Sequence, residues 1–313
     1  MKKRLYPKEM SKTHVAQPRL ARKISWVPNQ KGAWMMALLP YLTGVVGGGF
    51  RWQHILVGAL WLSGYSFFFA AENWLKARRS RAYLPPMRLW FLVTAILAAA
   101  ALWLCGALLA WVLCFLPFAA VTAWQAIKRK NRSLTARTCE VCAAGLMCAV
   151  AWDIGVREVL YLPALWRNEG ANYLFTSAAF MQVTIVTLLL TFYFWSTIPF
   201  VKSLVRERIS IKFLALSIAA HIVGISVSAL LWSCGAVGGL VPIIWCVLAL
   251  RAAIFTYIAH TPIRRSNSIS DSSGTSGALK PARVSFSSKK LLICVGSAEM
   301  FLSAIYAYSL LFG

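Results

Sequence analysis

Charge is scarce in this sequence and acid scarcer still: 13% of its 313 residues are Asp, Glu, Lys or Arg, and only 9 are acidic. A water-soluble domain carries about twice that share of charged side chains, so a soluble fold is excluded. With 4 histidines besides, no Ser-His-Asp or Cys-His constellation can be assembled, no metal-ligand spacing is present, and no Gly-rich phosphate loop follows a strand. The eight cysteines (Cys105, Cys114, Cys139, Cys142, Cys148, Cys234, Cys246 and Cys294) fall in or beside apolar runs, which implies no disulfide or zinc framework. The single C-x-x-C, Cys139 to Cys142, has no second ligand pair and reads as small buried apolar residues. No metal and no cofactor are expected. There is no internal repeat, and no cleavable signal peptide is expected, because the first 32 residues are basic and polar.

What the sequence does have is apolar length. Apolar residues make up 59% of the chain, in runs near the ~20 residues that cross a hydrocarbon core. The runs predict an all-α polytopic bundle of about nine transmembrane helices near 33–50, 55–74, 89–105, 107–126, 139–154, 173–201, 213–233, 236–259 and 291–312. Gly106 and Gly235 mark two tight hairpins. Most of the 14 tryptophans read as lipid or core contacts.

Lys and Arg test these spans independently, since cytoplasmic loops hold the excess. From the N-terminal tail onward the connections hold 9, 1, 5, 0, 5, 2, 4, 0, 6 and 0, so alternate connections carry 29 and 3 of the 33 basic residues, and Arg251 lies within the eighth run. The alternation predicts the N-terminus inside and the C-terminus outside. It also assigns the net charge of +24 to orientation and to anionic lipid at the cytoplasmic face, with no nucleic acid as partner. The expected organisation is a basic cytoplasmic tail over 1–32 and a transmembrane domain over 33–313, with a flexible Ser- and Gly-rich cytoplasmic loop at 260–288.

The most recognisable segment is Pro28-Asn29-Gln30-Lys31-Gly32-Ala33-Trp34, followed by Leu38-Leu39-Pro40-Tyr41-Leu42-Thr43-Gly44. It resembles the YwiC-like family of bacterial integral membrane proteins, with their Pro-x-Gln-His-Gly-Ala-Trp approach to the first helix and a Pro-x-x-x-Gly within it. Lys31 stands where that family has histidine, which removes any role dependent on an imidazole. The likeness implies a bacterial inner-membrane location and places Gln30, Lys31, Gly32 and Trp34 near whatever the protein binds; it supplies no reaction.

The predicted topology is also similar to that of the UbiA-type prenyltransferases, whose aspartate-rich motifs end the second and sixth helices on the cytoplasmic side. At the matching places stand Glu72-Asn73-Trp74-Leu75-Lys76-Ala77-Arg78-Arg79 and Val201-Lys202-Ser203-Leu204-Val205-Arg206-Glu207-Arg208. Cations replace most of the carboxylates, and a cation cannot coordinate magnesium, whereas Arg and Lys pair directly with phosphate oxygens. The expectation is a basic cytoplasmic vestibule formed by Glu72, Asn73, Lys76, Arg79, Lys202, Arg206 and Arg208 that binds a phosphorylated lipid or isoprenoid. The alternatives are a UbiA-like transferase with altered head-group chemistry and a small-solute or anion transporter; other readings take the basic residues as setting orientation alone.

Intramembrane ionisable residues are costly, which singles out His221, Arg251 and Glu299. Each lies about 8 residues from the inner end of its helix, so at ~1.5 Å per residue all reach a similar depth. An Arg251–Glu299 pair beside His221 forms either a polar bridge between the last three helices or a proton or substrate site. Glu140 and Asp153, at opposite ends of the fifth run, are expected at the interfaces, with Asp153 pairing with Arg157 four residues on.

Overall fold

The computed structural model describes residues 25–28, 31–77, 80–106, 108–130, 133–156, 178–206, 211–260 and 302–312. These residues form α1 (Lys31–Gly48), α2 (Gln53–Lys76), α3 (Leu84–Leu104), α4 (Leu108–Ile127), α5 (Leu134–Val156), α6 (Ala178–Val201), α7 (Ile211–Ser233), α8 (Leu240–His260) and α9 (Leu302–Phe312). A one-turn 3₁₀ segment, Arg81–Tyr83, leads into α3, and a π-helical segment, Lys202–Arg206, extends α6. Among the described residues, α2 to α8 are each long and apolar enough to cross a membrane, while α1 and α9 are shorter apolar helices. The chain is therefore a multi-pass membrane protein in contact with the lipid bilayer.

Predicted and observed boundaries differ where capping overrides hydropathy. α3 begins five residues before the apolar run, because Pro85 and Pro86 occupy a first turn whose N–H groups have no helical partners. α5 likewise begins five residues early, at Leu134: Ser133 Oγ accepts the Ala136 N–H at 3.1 Å and caps the added turn.

α5 is the central post. Of its most apolar stretch 61% is buried, against 6% for α3, which leaves most of α3 facing lipid. α5 packs chiefly on α1 and α6, α2 on α3, and α7 on α8. The α1–α5 seam is close because α1 presents glycine to it: a Cβ at Gly44 would overlap the Cys148 carbonyl, and one at Gly48 the Trp152 backbone. Small residues let membrane helices approach to where dispersion contacts are densest. Trp195 Nε1 donates to Thr138 Oγ1 at 2.9 Å, joining the last turns of α6 to the first of α5, so the two run antiparallel. The α2–α3 and α4–α5 connections, the end of α6 and the end of α8 therefore lie towards one end of the bundle.

Two polar contacts hold the opposite end. His54, absent from the sequence expectations, is buried at the start of α2. Its Nδ1 accepts the Arg51 N–H at 2.8 Å, which leaves Nε2–H to donate to the Ala151 carbonyl at 2.9 Å and tie α2 to α5. Asp153, expected at an interface, lies in the last turn of α5 and is buried within the protein at 3% exposure. Its Oδ2 accepts the Trp111 indole N–H at 2.8 Å, a bond that gives α4 a polar anchor on α5; Arg157 lies outside the described residues.

Candidate functional site

Helices α1, α2, α4 and α5 surround a cavity of about 1050 Å³ towards the end where α2 and α4 finish and α5 begins. Its inner wall is apolar and largely aromatic, with Trp61, Tyr65 and Phe68 from α2 and Phe115 and Phe118 from α4. Contacts between lining residues fix the wall: Trp61 Nε1 donates to the Ala37 carbonyl of α1 at 2.8 Å, and the Trp61 ring leans on Phe115 with centroids 6.2 Å apart.

Charge is confined to the rim. Glu72 Oε1 lies 2.5 Å from Lys76 Nζ one turn along α2, and Glu140 Oε2 lies 2.5 Å from Arg137 Nη1 one turn back along α5. Both are same-face helical pairs, at spacings of four and three residues. The carboxylates are the more sheltered partners; Lys76 and Arg137 reach further towards solvent. Arg129 and Lys130, in the α4–α5 connection, complete the cationic rim with Asn73, Tyr83 and Ser133 beside them. Four cations against two carboxylates leave a net positive opening above an apolar interior.

The segment before α1 forms one lip. Ser25 and Pro28 line the cavity, and two indoles hold the segment: Trp34 Nε1 donates to the Pro28 carbonyl and Trp90 Nε1 to the Trp26 carbonyl, each at 2.8 Å. Trp34 also meets the Tyr65 ring edge-on at 5.7 Å. The aromatic of the recognisable motif thus acts through its neighbours, fastening the lip to the wall. Gly32 is exposed, and a Cβ there would meet nothing within 4 Å, so no close approach requires glycine at that position.

Of the other sequence-predicted site residues, Glu72, Asn73 and Lys76 come together on this rim. Lys202 lies towards the same end but outside the cavity, buried with Nζ 4.7 Å from the Phe213 ring. His221 and Arg251 are both buried and both pack on Phe200: the Arg251 guanidinium lies 4.8 Å from the Phe200 ring, and the His221 ring stands edge-on to it at 6.4 Å. His221 Nδ1 donates to the Ser217 carbonyl at 2.6 Å. Gln30, Arg79, Arg208 and Glu299 lie outside the described residues, as do the side chains of Lys31 and Arg206.

Sequence reasoning missed Arg129, Lys130, Arg137 and Glu140 as site residues because the connection from 127 to 138 served only to count charge. The available signal was Glu140 three residues after Arg137, a one-turn pair at the head of an apolar helix.

Residues 27–152 match the sequence model of the family described as YwiC-like protein. Over this segment the chain is similar to the YwiC-like family. The YwiC-like segment runs from the lip through most of α5 and contains every described residue that lines the cavity except Ser25. An uncharacterised protein of Haemophilus influenzae (strain ATCC 51907 / DSM 11121 / KW20 / Rd) is 25% identical over 197 residues, which cover 63% of this chain and 74% of that protein. No solved structure matches the chain.

Proposed function

We propose that the YwiC-like segment binds a phosphorylated amphiphile, a lipid or an isoprenoid, with its apolar part against the aromatic wall and its phosphate at the cationic rim. The observation that carries this reading is the division of one cavity into an aromatic interior and a rim of Lys76, Arg129, Lys130 and Arg137. Arg and Lys at such an opening pair with phosphate oxygens, and burial of hydrocarbon against the wall contributes roughly 25 cal/mol per Å² of apolar area. The volume lies at the top of the ~300–1,000 Å³ range of small-molecule pockets, which suits a chain-bearing ligand.

The orientation that accompanies this reading places the basic ends in the cytoplasm of a bacterial cell, in its inner membrane, with nine crossings in an arrangement similar to the UbiA-type proteins. Support comes from the 29 to 3 division of Lys and Arg. Binding takes precedence over group transfer because both rim carboxylates already pair with cations one turn away, and among the described residues no group of three or more His, Cys, Asp or Glu is placed to hold a metal ion.

Native mass spectrometry of the protein extracted with its own lipids tests the proposal. One phosphorylated amphiphile should co-purify, enriched over its share of the membrane. Bound lipid that merely mirrors bulk composition would contradict it.

A further inference from the structure

Arg129 is the only non-glycine residue with a positive φ, 57°, among the described residues. It occupies the position just past the end of α4, where the Arg129 N–H donates to the Ala126 carbonyl at 3.0 Å and the Lys130 N–H to the Gln125 carbonyl at 2.8 Å. α7 ends with the same two bonds: the Gly235 N–H donates to the Trp232 carbonyl at 2.9 Å and the Ala236 N–H to the Leu231 carbonyl at 2.8 Å. At the equivalent position, however, α7 has glycine, with φ of 70°. Glycine adopts this left-handed conformation without the steric cost that a Cβ incurs, and it is the usual residue at such a helix end. The backbone of α4 is thus closed in a way that favours glycine, yet it carries arginine there. Strain of this kind points to a use for the side chain.

Its surroundings indicate the use. Arg129 and Lys130 line the cavity and are exposed. Of the four rim cations, Lys76 and Arg137 already pair with Glu72 and Glu140, so an anion meets Arg129 and Lys130 without displacing a carboxylate. The αL residue also turns the chain sharply, bringing two successive cationic side chains to the opening rather than spacing them along α4.

We propose that Arg129 and Lys130 are the phosphate-binding residues of the cavity, and that arginine replaces the conformationally favoured glycine because its planar guanidinium offers paired donors to a phosphate. The inference rests on the amphiphile-binding reading and names the residues that read the head group. It moves the anion contact from the ends of α2 and α6 to the α4–α5 connection.

The test compares wild type, Arg129→Gly and Lys130→Gln in detergent, measuring melting temperature and calorimetric binding of dioctanoyl phosphatidic acid, dioctanoylglycerol and inorganic phosphate. Arg129→Gly should raise the melting temperature and weaken phosphatidic acid binding about tenfold, the loss of one charge-assisted contact. Lys130→Gln should weaken it with no change in melting temperature. Unchanged binding in both variants would overturn the assignment, as would a fall in melting temperature in Arg129→Gly, because arginine would then serve the fold. If wild type bound neither phosphatidic acid nor phosphate, the amphiphile-binding reading itself would fall and this inference with it. Arg129-dependent binding of inorganic phosphate as tight as that of phosphatidic acid would keep the two residues and overturn the lipid as ligand.

Discussion

Towards the same end of the bundle, Lys76 and Arg137 stand partly exposed around an open cavity, while Lys202 and Arg251 are buried against the rings of Phe213 and Phe200. The α1–α5 half keeps its aromatic side chains along a wall with space in front of them. In the α6–α9 half comparable rings fill the space: Tyr193 stacks on Tyr306 at 4.8 Å, Trp245 stands edge-on to Tyr306 at 6.1 Å, and Trp245 Nε1 donates to the Tyr306 hydroxyl at 3.0 Å. A Cβ at Gly224 would overlap the Trp245 ring, so α7 and α8 also meet without slack. The same residue types thus serve two ends. In the closed half the buried cations Lys202 and Arg251 lie over the Phe213 and Phe200 rings and contribute to stability; around the cavity Lys76 and Arg137 remain at the opening.

The sharpest way to break this comparison is to empty the closed half. Trp245→Ala removes a fully buried indole and its bond to Tyr306, and should cost about 3–5 kcal/mol in thermal or denaturant unfolding in detergent, with amphiphile binding unchanged below the new transition. Next in size, Arg251→Gln should cost about 2 kcal/mol through loss of a desolvated cation–ring contact, whereas Lys76→Gln on the partly exposed rim should cost less than about 1 kcal/mol. Equal costs for these two would erase the distinction between buried and rim cations. The smallest effect on stability is expected from filling the open half. Ala119→Trp, at an exposed cavity-lining position of α4, should change stability by no more than about 0.5 kcal/mol while displacing the co-purified amphiphile in native mass spectra.

How far the sequence foretold this arrangement depends on the length scale of the signal. The helices were legible because ~20 apolar residues in a row have few other fates, and α2 to α8 fall where those runs predict. Helix ends were less so: Pro85, Pro86 and Ser133 extend α3 and α5 through local bonding that hydropathy does not register. Glu72, Asn73 and Lys76 were singled out because they stand at the end of the second apolar run, where the UbiA-type proteins carry an aspartate-rich motif. Arg137 and Glu140 escaped because one served only in the charge count and the other was read as an interface residue; that this turn of α5 lines a cavity shared with α2 is visible only in the packing. Lys202 and Lys76 look alike in sequence, each a basic residue at a helix end. Only packing separates them, since Phe213 closes over one and empty volume lies beside the other. The strain at Arg129 leaves no mark in composition, because αL geometry depends on how the next helix departs.

The most direct measurement of the central claim is site-specific photo-crosslinking in cells grown with radioactive phosphate. A photoreactive phenylalanine analogue replaces Phe118 on the cavity wall or, in a second strain, Ile244 in the closed aromatic core. The account predicts a phosphate-labelled, lipid-extractable adduct from position 118 and none from 244. Equal labelling at both positions, or labelling at 244 alone, would contradict it.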